Sequence, residues 1–70
     1  MVNKYDLGTR LWPLMRLNNL YAVHPPFDCS AMWMSGNEIY YSFNREYGFP
    51  ENDVFRCEAD AIAERDRRNK

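Results

Sequence analysis

The stretch from Ser30 to Phe43, Ser-Ala-Met-Trp-Met-Ser-Gly-Asn-Glu-Ile-Tyr-Tyr-Ser-Phe, leaves a short chain few ways to fold. Apolar residues stand on both sides of Gly36-Asn37. That pair suits a two-residue hairpin turn, because Gly accepts the positive φ of the first central position and Asn tolerates the second. The turn sets a register: Ser35 faces Glu38, Met34 faces Ile39, Trp33 faces Tyr40, Met32 faces Tyr41 and Ser30 faces Phe43. Side chains alternate across a strand. Met32, Met34, Ile39, Tyr41 and Phe43 therefore share one face, the expected core face. Trp33 and Tyr40 stand together on the other, beside Ala31 and Ser42.

Seventy residues make a single domain, 1–70, without room for a second core. A hydrophobic share of 46% and an aromatic share of 16% exclude a disordered chain. Aromatics this frequent cannot all be buried, and exposed Trp, Tyr and Phe favour contact surfaces. Net charge is −1 but uneven. Residues 35–64 set Arg45 and Arg56 against Glu38, Glu46, Glu51, Asp53, Glu58, Asp60 and Glu64. Residues 1–34 are nearly balanced, and the end, with Arg65, Arg67, Arg68 and Lys70 against Asp66, is basic. A duplex-binding domain carries a broad basic surface, so nucleic acid is not the expected partner. Two cysteines, Cys29 and Cys57, are too few for a disulfide scaffold. No signal segment or membrane span is visible. The expected compartment is the cytoplasm, with both thiols reduced; a single disulfide is open only to an exported protein.

Along the chain, Leu7, Leu11, Leu14, Met15 and Asn18 fall at helical spacing, widened by Leu17, Leu20 and Tyr21. They predict an N-terminal helix over about residues 10–20, with Thr9 as cap, Pro13 in the first turn and Asn18-Asn19 as its end. A shorter helix opened by Pro13 is the alternative. Leu20–His24 can form a short strand stopped by Pro25-Pro26. Residues 44–53 read as a loop anchored by Tyr47 and Phe49, and Asp53–Cys57 as a strand. Glu58–Arg68 reads as a C-terminal helix whose charges complement its dipole, lying on the sheet through Ala59, Ile62 and Ala63. The expected fold class is α+β: a small antiparallel sheet, the hairpin 30–43 plus the strand near 53–57, with an N-terminal and a C-terminal helix on one face.

No catalytic or cofactor motif stands out, and neither a cofactor nor a metal is expected. His24, Cys29 and Cys57 are one ligand short of a structural zinc set and lack its paired spacing. Cys29 and His24 could serve as nucleophile and base, yet no orienting third group accompanies them. A buried thiol is expected at Cys57 and a surface or hinge role at His24. The acids from Glu46 to Glu64 either solvate a loop and a helix face or recognise a basic partner. The basic C-terminal residues either end a helix or touch phosphates. Trp33 and Tyr40 either anchor a protein interface or merely stabilise the hairpin, with the 44–53 loop able to cover them.

The chain is short, acidic in its middle and rich in aromatics. Its last strand runs into an Ala-rich, acidic-to-basic helix, Val-Phe-Arg-Cys-Glu-Ala-Asp-Ala-Ile-Ala-Glu-Arg. In this it resembles the small inhibitor proteins that phages and prophages encode, many anti-CRISPRs among them. The resemblance implies a protein that binds and blocks a bacterial defence or regulatory complex in the host cytoplasm, without chemistry of its own. Trp33, Tyr40, Tyr47, Phe49, Glu51 and Asp53 are the candidate partner-binding residues. A small nucleic-acid-associated regulator using the basic end is the alternative. An unpaired sheet edge also makes a two-fold homodimer an expectation.

Overall fold

The computed structural model describes residues 3–70. The order of elements is β1 (Arg10–Leu17), β2 (Leu20–Val23), β3 (Phe27–Asp28), β4 (Ala31–Ser35), β5 (Glu38–Ser42), β6 (Gly48–Pro50), a 3₁₀ turn (Glu51–Asp53), β7 (Val54–Phe55) and α1 (Glu58–Arg68). The fold is thus mostly β, in two antiparallel sheets with a single helix. This corrects the α+β expectation of one sheet between two terminal helices.

The expected N-terminal helix is absent; residues 10–23 form a β-hairpin instead. Its turn is Asn18-Asn19, with φ of 51° and 69°. Two positive φ values in a two-residue loop match the right-handed twist of the flanking strands. The helical spacing of Leu11 and Leu14 has another origin. Strand alternation breaks at Pro13, where Leu11, Pro13 and Leu14 are all buried. β1 also changes neighbours there. On one edge it pairs with β2 from Leu14 to Leu17, and His24 N–H donates to Pro13 C=O (2.8 Å) as the last rung. Offset by one residue, β3 continues opposite Arg10 and Leu11, and β7 pairs with Trp12 and Pro13. The proline, lacking a donor, sits where the β2 ladder ends.

The second sheet is β4-β5-β6, and its hairpin has the register set by Gly36-Asn37, from Ser35 opposite Glu38 to Ala31 opposite Ser42. Gly36 takes a φ of 63°. Chain passes between sheets at Cys29-Ser30: Cys29 N–H donates to Thr9 C=O on the first, and Ser30 N–H to Ser42 C=O on the second. β6 lies opposite β5, with Tyr41 facing Phe49 and Tyr40 facing Pro50. The connection between them, expected as a loop, is an ordered turn around Ser42. Buried Ser42 Oγ donates to Tyr47 C=O (2.6 Å) and accepts from the N–H groups of Asn44 (3.1 Å) and Arg45 (3.0 Å).

The inner faces of the two sheets meet in one core. Leu11, Phe27 and Val54 come from the first, Ile39, Tyr41 and Phe49 from the second, with Tyr5 from the segment before β1 and Cys29 from the link between β3 and β4. Phe27 stacks on Phe49 at 5.5 Å. The expected core face of the hairpin holds only in part. Ile39 and Tyr41 are buried and Met32 packs against the core, but Met34 is 55% exposed and Phe43 is exposed too. Met34 stands next to the turn end of β4, and Phe43, just past β5, meets only the Phe27 ring (5.7 Å between centres) at the margin of the core.

α1 packs on β1, β2 and β7. Its inward face is Ala61 with half-buried Glu64, Arg65 and Arg68; the expected stripe of Ala59, Ile62 and Ala63 points outward. An ionic contact fixes this rotation. Arg68 donates to Asp53 (2.7 Å), Glu64 (2.7 Å) and Asn52 C=O (2.9 Å), and its guanidinium lies 5.0 Å from the Tyr21 ring centre. Cys57, expected to be buried, is exposed at the helix N-cap, and Cys29 is the buried thiol. Among the described residues no helix is long and apolar enough to cross a membrane.

Candidate functional site

α1 covers the first sheet, and the outward face of β4-β5-β6 is left to its own side chains. Alternation places Trp33 on β4, Tyr40 on β5 and Pro50 on β6 across that face. The Trp33 and Tyr40 rings stack at 6.3 Å between centres and 11° between planes, an arrangement worth about 0.5–1.5 kcal/mol beyond burial. The indole continues over Gly48. Any Cβ at position 48 would come within 2.6 Å of Trp33 Cζ2 and 3.0 Å of Tyr40 Cβ, so glycine makes the seat on which the indole lies. Trp33 and Tyr40 remain half-buried. Tyr40 OH donates to Glu38 (3.3 Å). Partial burial first, and then the Glu38 carboxylate, push this hydroxyl up from its ordinary value.

The six candidate partner-binding residues divide. Trp33 and Tyr40 come together as expected from the register. Tyr47 is 54% exposed and leans edge-on against Phe49 at 5.0 Å. Phe49 is 3% exposed and belongs to the core. Glu51 and Asp53 serve the chain itself. Glu51 accepts from Tyr41 OH and from Lys4 N–H (2.9 Å), tying residues 3–5 to the second sheet. Asp53 holds Arg68. Tyr41 OH also accepts from Tyr5 N–H (3.2 Å), and its pKa is pushed up to about 12, by burial first and by the Glu51 hydrogen bond second. Gly48 and Pro50, which in the sequence read as punctuation of the 44–53 loop, complete the aromatic face. Their signal was available in principle: a glycine two residues before a proline, in a strand beside Trp and Tyr.

The remaining chemistry candidates are spoken for. His24 Nδ1 lies 2.8 Å from Pro25 C=O and its ring rests 5.9 Å from Phe49. Cys29 Sγ donates to Ala31 C=O (3.3 Å). Among the described residues no three His, Cys, Asp or Glu side chains gather as a metal set would. At the basic end, Arg65 pairs with Asp66, Arg67 with Glu64, and Arg68 with Glu64 and Asp53. The hydrogen bonds from Arg67 and then Arg68 hold the Glu64 carboxyl down at about 2. A polar hollow of about 380 Å³ beside Lys4, Glu51 and Asn52 is lined by Arg67 and Arg68 of these pairs.

Two apolar hollows flank β4. One, of about 340 Å³, is lined by Leu7, Ser30, Ala31, Met32, Trp33 and Arg45. The other, of about 160 Å³, is lined by Asn3, Met32, Trp33, Met34 and Ile39. No protein-family model matches the chain, and no match is found among curated proteins or solved structures.

Proposed function

We propose that this chain is a non-enzymatic protein-binding module whose docking face is the outward side of β4-β5-β6, centred on Trp33 and Tyr40. The observation that carries the reading is the Trp33–Tyr40 stack, laid over Gly48 on a sheet face that α1 does not cover. Large rigid aromatics on such a face are what interface hot spots are made of. With the Glu38 carboxylate at the edge of the stack, the face suits a partner segment presenting Arg or Lys, which can lie on the indole and reach the carboxylate. The class of partner, a bacterial defence or regulatory complex met in the host cytoplasm, rests on the resemblance to small phage-encoded inhibitors. The pairing of Arg65, Arg67 and Arg68 with carboxylates argues against the nucleic-acid alternative.

The test is differential capture from bacterial lysate, followed by affinity measurement with the purified partner. Tyr40→Ala and Trp33→Ala should each weaken binding, Trp33→Ala by about 2 kcal/mol or more. A partner bound equally well by both variants would remove the proposal.

A further inference from the structure

Among the described residues, several sheet edges of this fold are shielded, each in a different way. At β2, Tyr21 N–H donates to Asn69 Oδ1 (2.8 Å) and Tyr21 C=O accepts from Asn69 Nδ2 (3.0 Å), so a side-chain amide occupies the edge. β6 has three residues and ends in Pro50; β3 and β7 have two residues each. Short strands, prolines and covering groups are how folded proteins stop edges from pairing. Among the described residues, β4 has none of them. Its five residues, Ala31–Ser35, contain no charge and no proline. After a two-residue turn, Ser35–Glu38, Trp33–Tyr40 and Ala31–Ser42 are the pairs that exchange backbone hydrogen bonds. The N–H and C=O of Met32 and Met34 therefore point away from β5, and among the described residues no hydrogen bond reaches them. The open run stops at Cys29, whose N–H and C=O are bonded to Thr9 and Gly8.

We infer that β4 pairs antiparallel with β4 of a second copy of this chain, about a two-fold axis at Trp33. The strand is self-complementary. Ala-Met-Trp-Met-Ser reads nearly alike from either end, so the axis sets Met32 opposite the partner's Met34 and Ala31 opposite the partner's Ser35. Met32 N–H then donates to C=O of the partner's Met34, N–H of the partner's Met34 returns a bond to Met32 C=O, and the axis repeats both. No like charges meet on the strand, and the chain's net charge of −1 offers little repulsion. Met34, exposed in one copy, is covered by the partner's Met32, and flexible thioethers pack readily against each other. The Trp33 indole leans inward over Gly48 and leaves the axis clear. The product is one sheet running β6-β5-β4 and on through the same strands of the copy, with both aromatic faces side by side.

Sedimentation of the full chain over a range of concentrations tests this. Wild type should pass from monomer to dimer, Met34→Lys should stay monomeric where wild type is dimeric, and Leu17→Lys, equally exposed but on the other sheet, should dimerise like wild type. The axis has its own test. Trp33 faces the partner's Trp33 as a non-hydrogen-bonded pair, with Cα atoms about 4.5 Å apart, within the roughly 4.4–6.8 Å a disulfide spans. Trp33→Cys in a Cys57→Ser background should therefore cross-link on oxidation. A monomer at every concentration overturns the inference. So does a dimer indifferent to Met34→Lys, or a dimeric Trp33→Cys variant that fails to cross-link. The docking face and the edge fail separately, because Tyr40→Ala tests the first and Met34→Lys the second.

Discussion

Gly48 shows how one missing methyl group can set the shape of a surface. Its φ is ordinary, so the requirement for glycine is the indole above it and not backbone freedom. Gly48→Ala should lift Trp33 off its seat, costing roughly 1–3 kcal/mol by overpacking and shifting tryptophan fluorescence to longer wavelength. An unchanged spectrum would mean that Trp33 does not lie on β6. Tyr41 is the corresponding case inside. Its hydroxyl binds Glu51, Lys4 N–H and Tyr5 N–H, and Tyr41→Phe should cost roughly 1–3 kcal/mol by leaving these groups unpaired. The pH effect has a definite sign. Unfolded tyrosine loses its proton near about 10, whereas native Tyr41 keeps it up to about 12. Its contribution is complete below the unfolded value and is lost as pH rises through that window. Urea titrations between the two values should show wild type losing stability faster than Tyr41→Phe. Neither role could be read from sequence, since both depend on which residues three strands place over one another.

At the level of elements, the two hairpins make an instructive pair. Gly36-Asn37 announces its turn because the flanking residues alternate cleanly, and its register follows by counting. Asn18-Asn19 forms the same kind of connection but follows a segment in which Pro13 breaks the alternation, leaving Leu11 and Leu14 three apart as in a helix. Local spacing recorded the break faithfully and tertiary pairing explains it. Asn19→Ala should cost about 1 kcal/mol, because Ala lacks the short polar side chain by which Asn tolerates the left-handed region, and Asn19→Gly, free of the Cβ clash, should cost nothing. A thermal midpoint lowered equally by both would contradict the turn. α1 was placed correctly in sequence but turned wrongly about its axis. The apolar stripe of Ala59, Ile62 and Ala63 lost to a face anchored by Arg68, whose long stem and charge find Tyr21, Asp53 and Glu64 together. Burial works against that charge, but the bonds to Asp53 and Glu64 outweigh it and hold the guanidinium protonated. Arg68→Ala should lower the midpoint by roughly 4–8 °C, the shift about 1 kcal/mol makes in a domain of this size. Arg67→Ala, at an exposed position, should lower it less.

For the whole molecule, the distribution of edges has a consequence for how large an assembly can grow. Counting bonding sites as a chemist counts valence, the open β4 edge makes one bond: two copies saturate each other there and growth through it ends. The Asn69 amide on Tyr21 denies β2 a second such bond. Asn69→Ala should make the molecule divalent, exposing β2 while β4 stays available, and divalent units polymerise end to end. Light scattering should then rise with concentration without levelling at the dimer. Adding Met34→Lys to that variant should act as a chain terminator and return the scattering to that of a small species. One asparagine at the far end of the sequence would thus be what separates a closed pair from an open polymer.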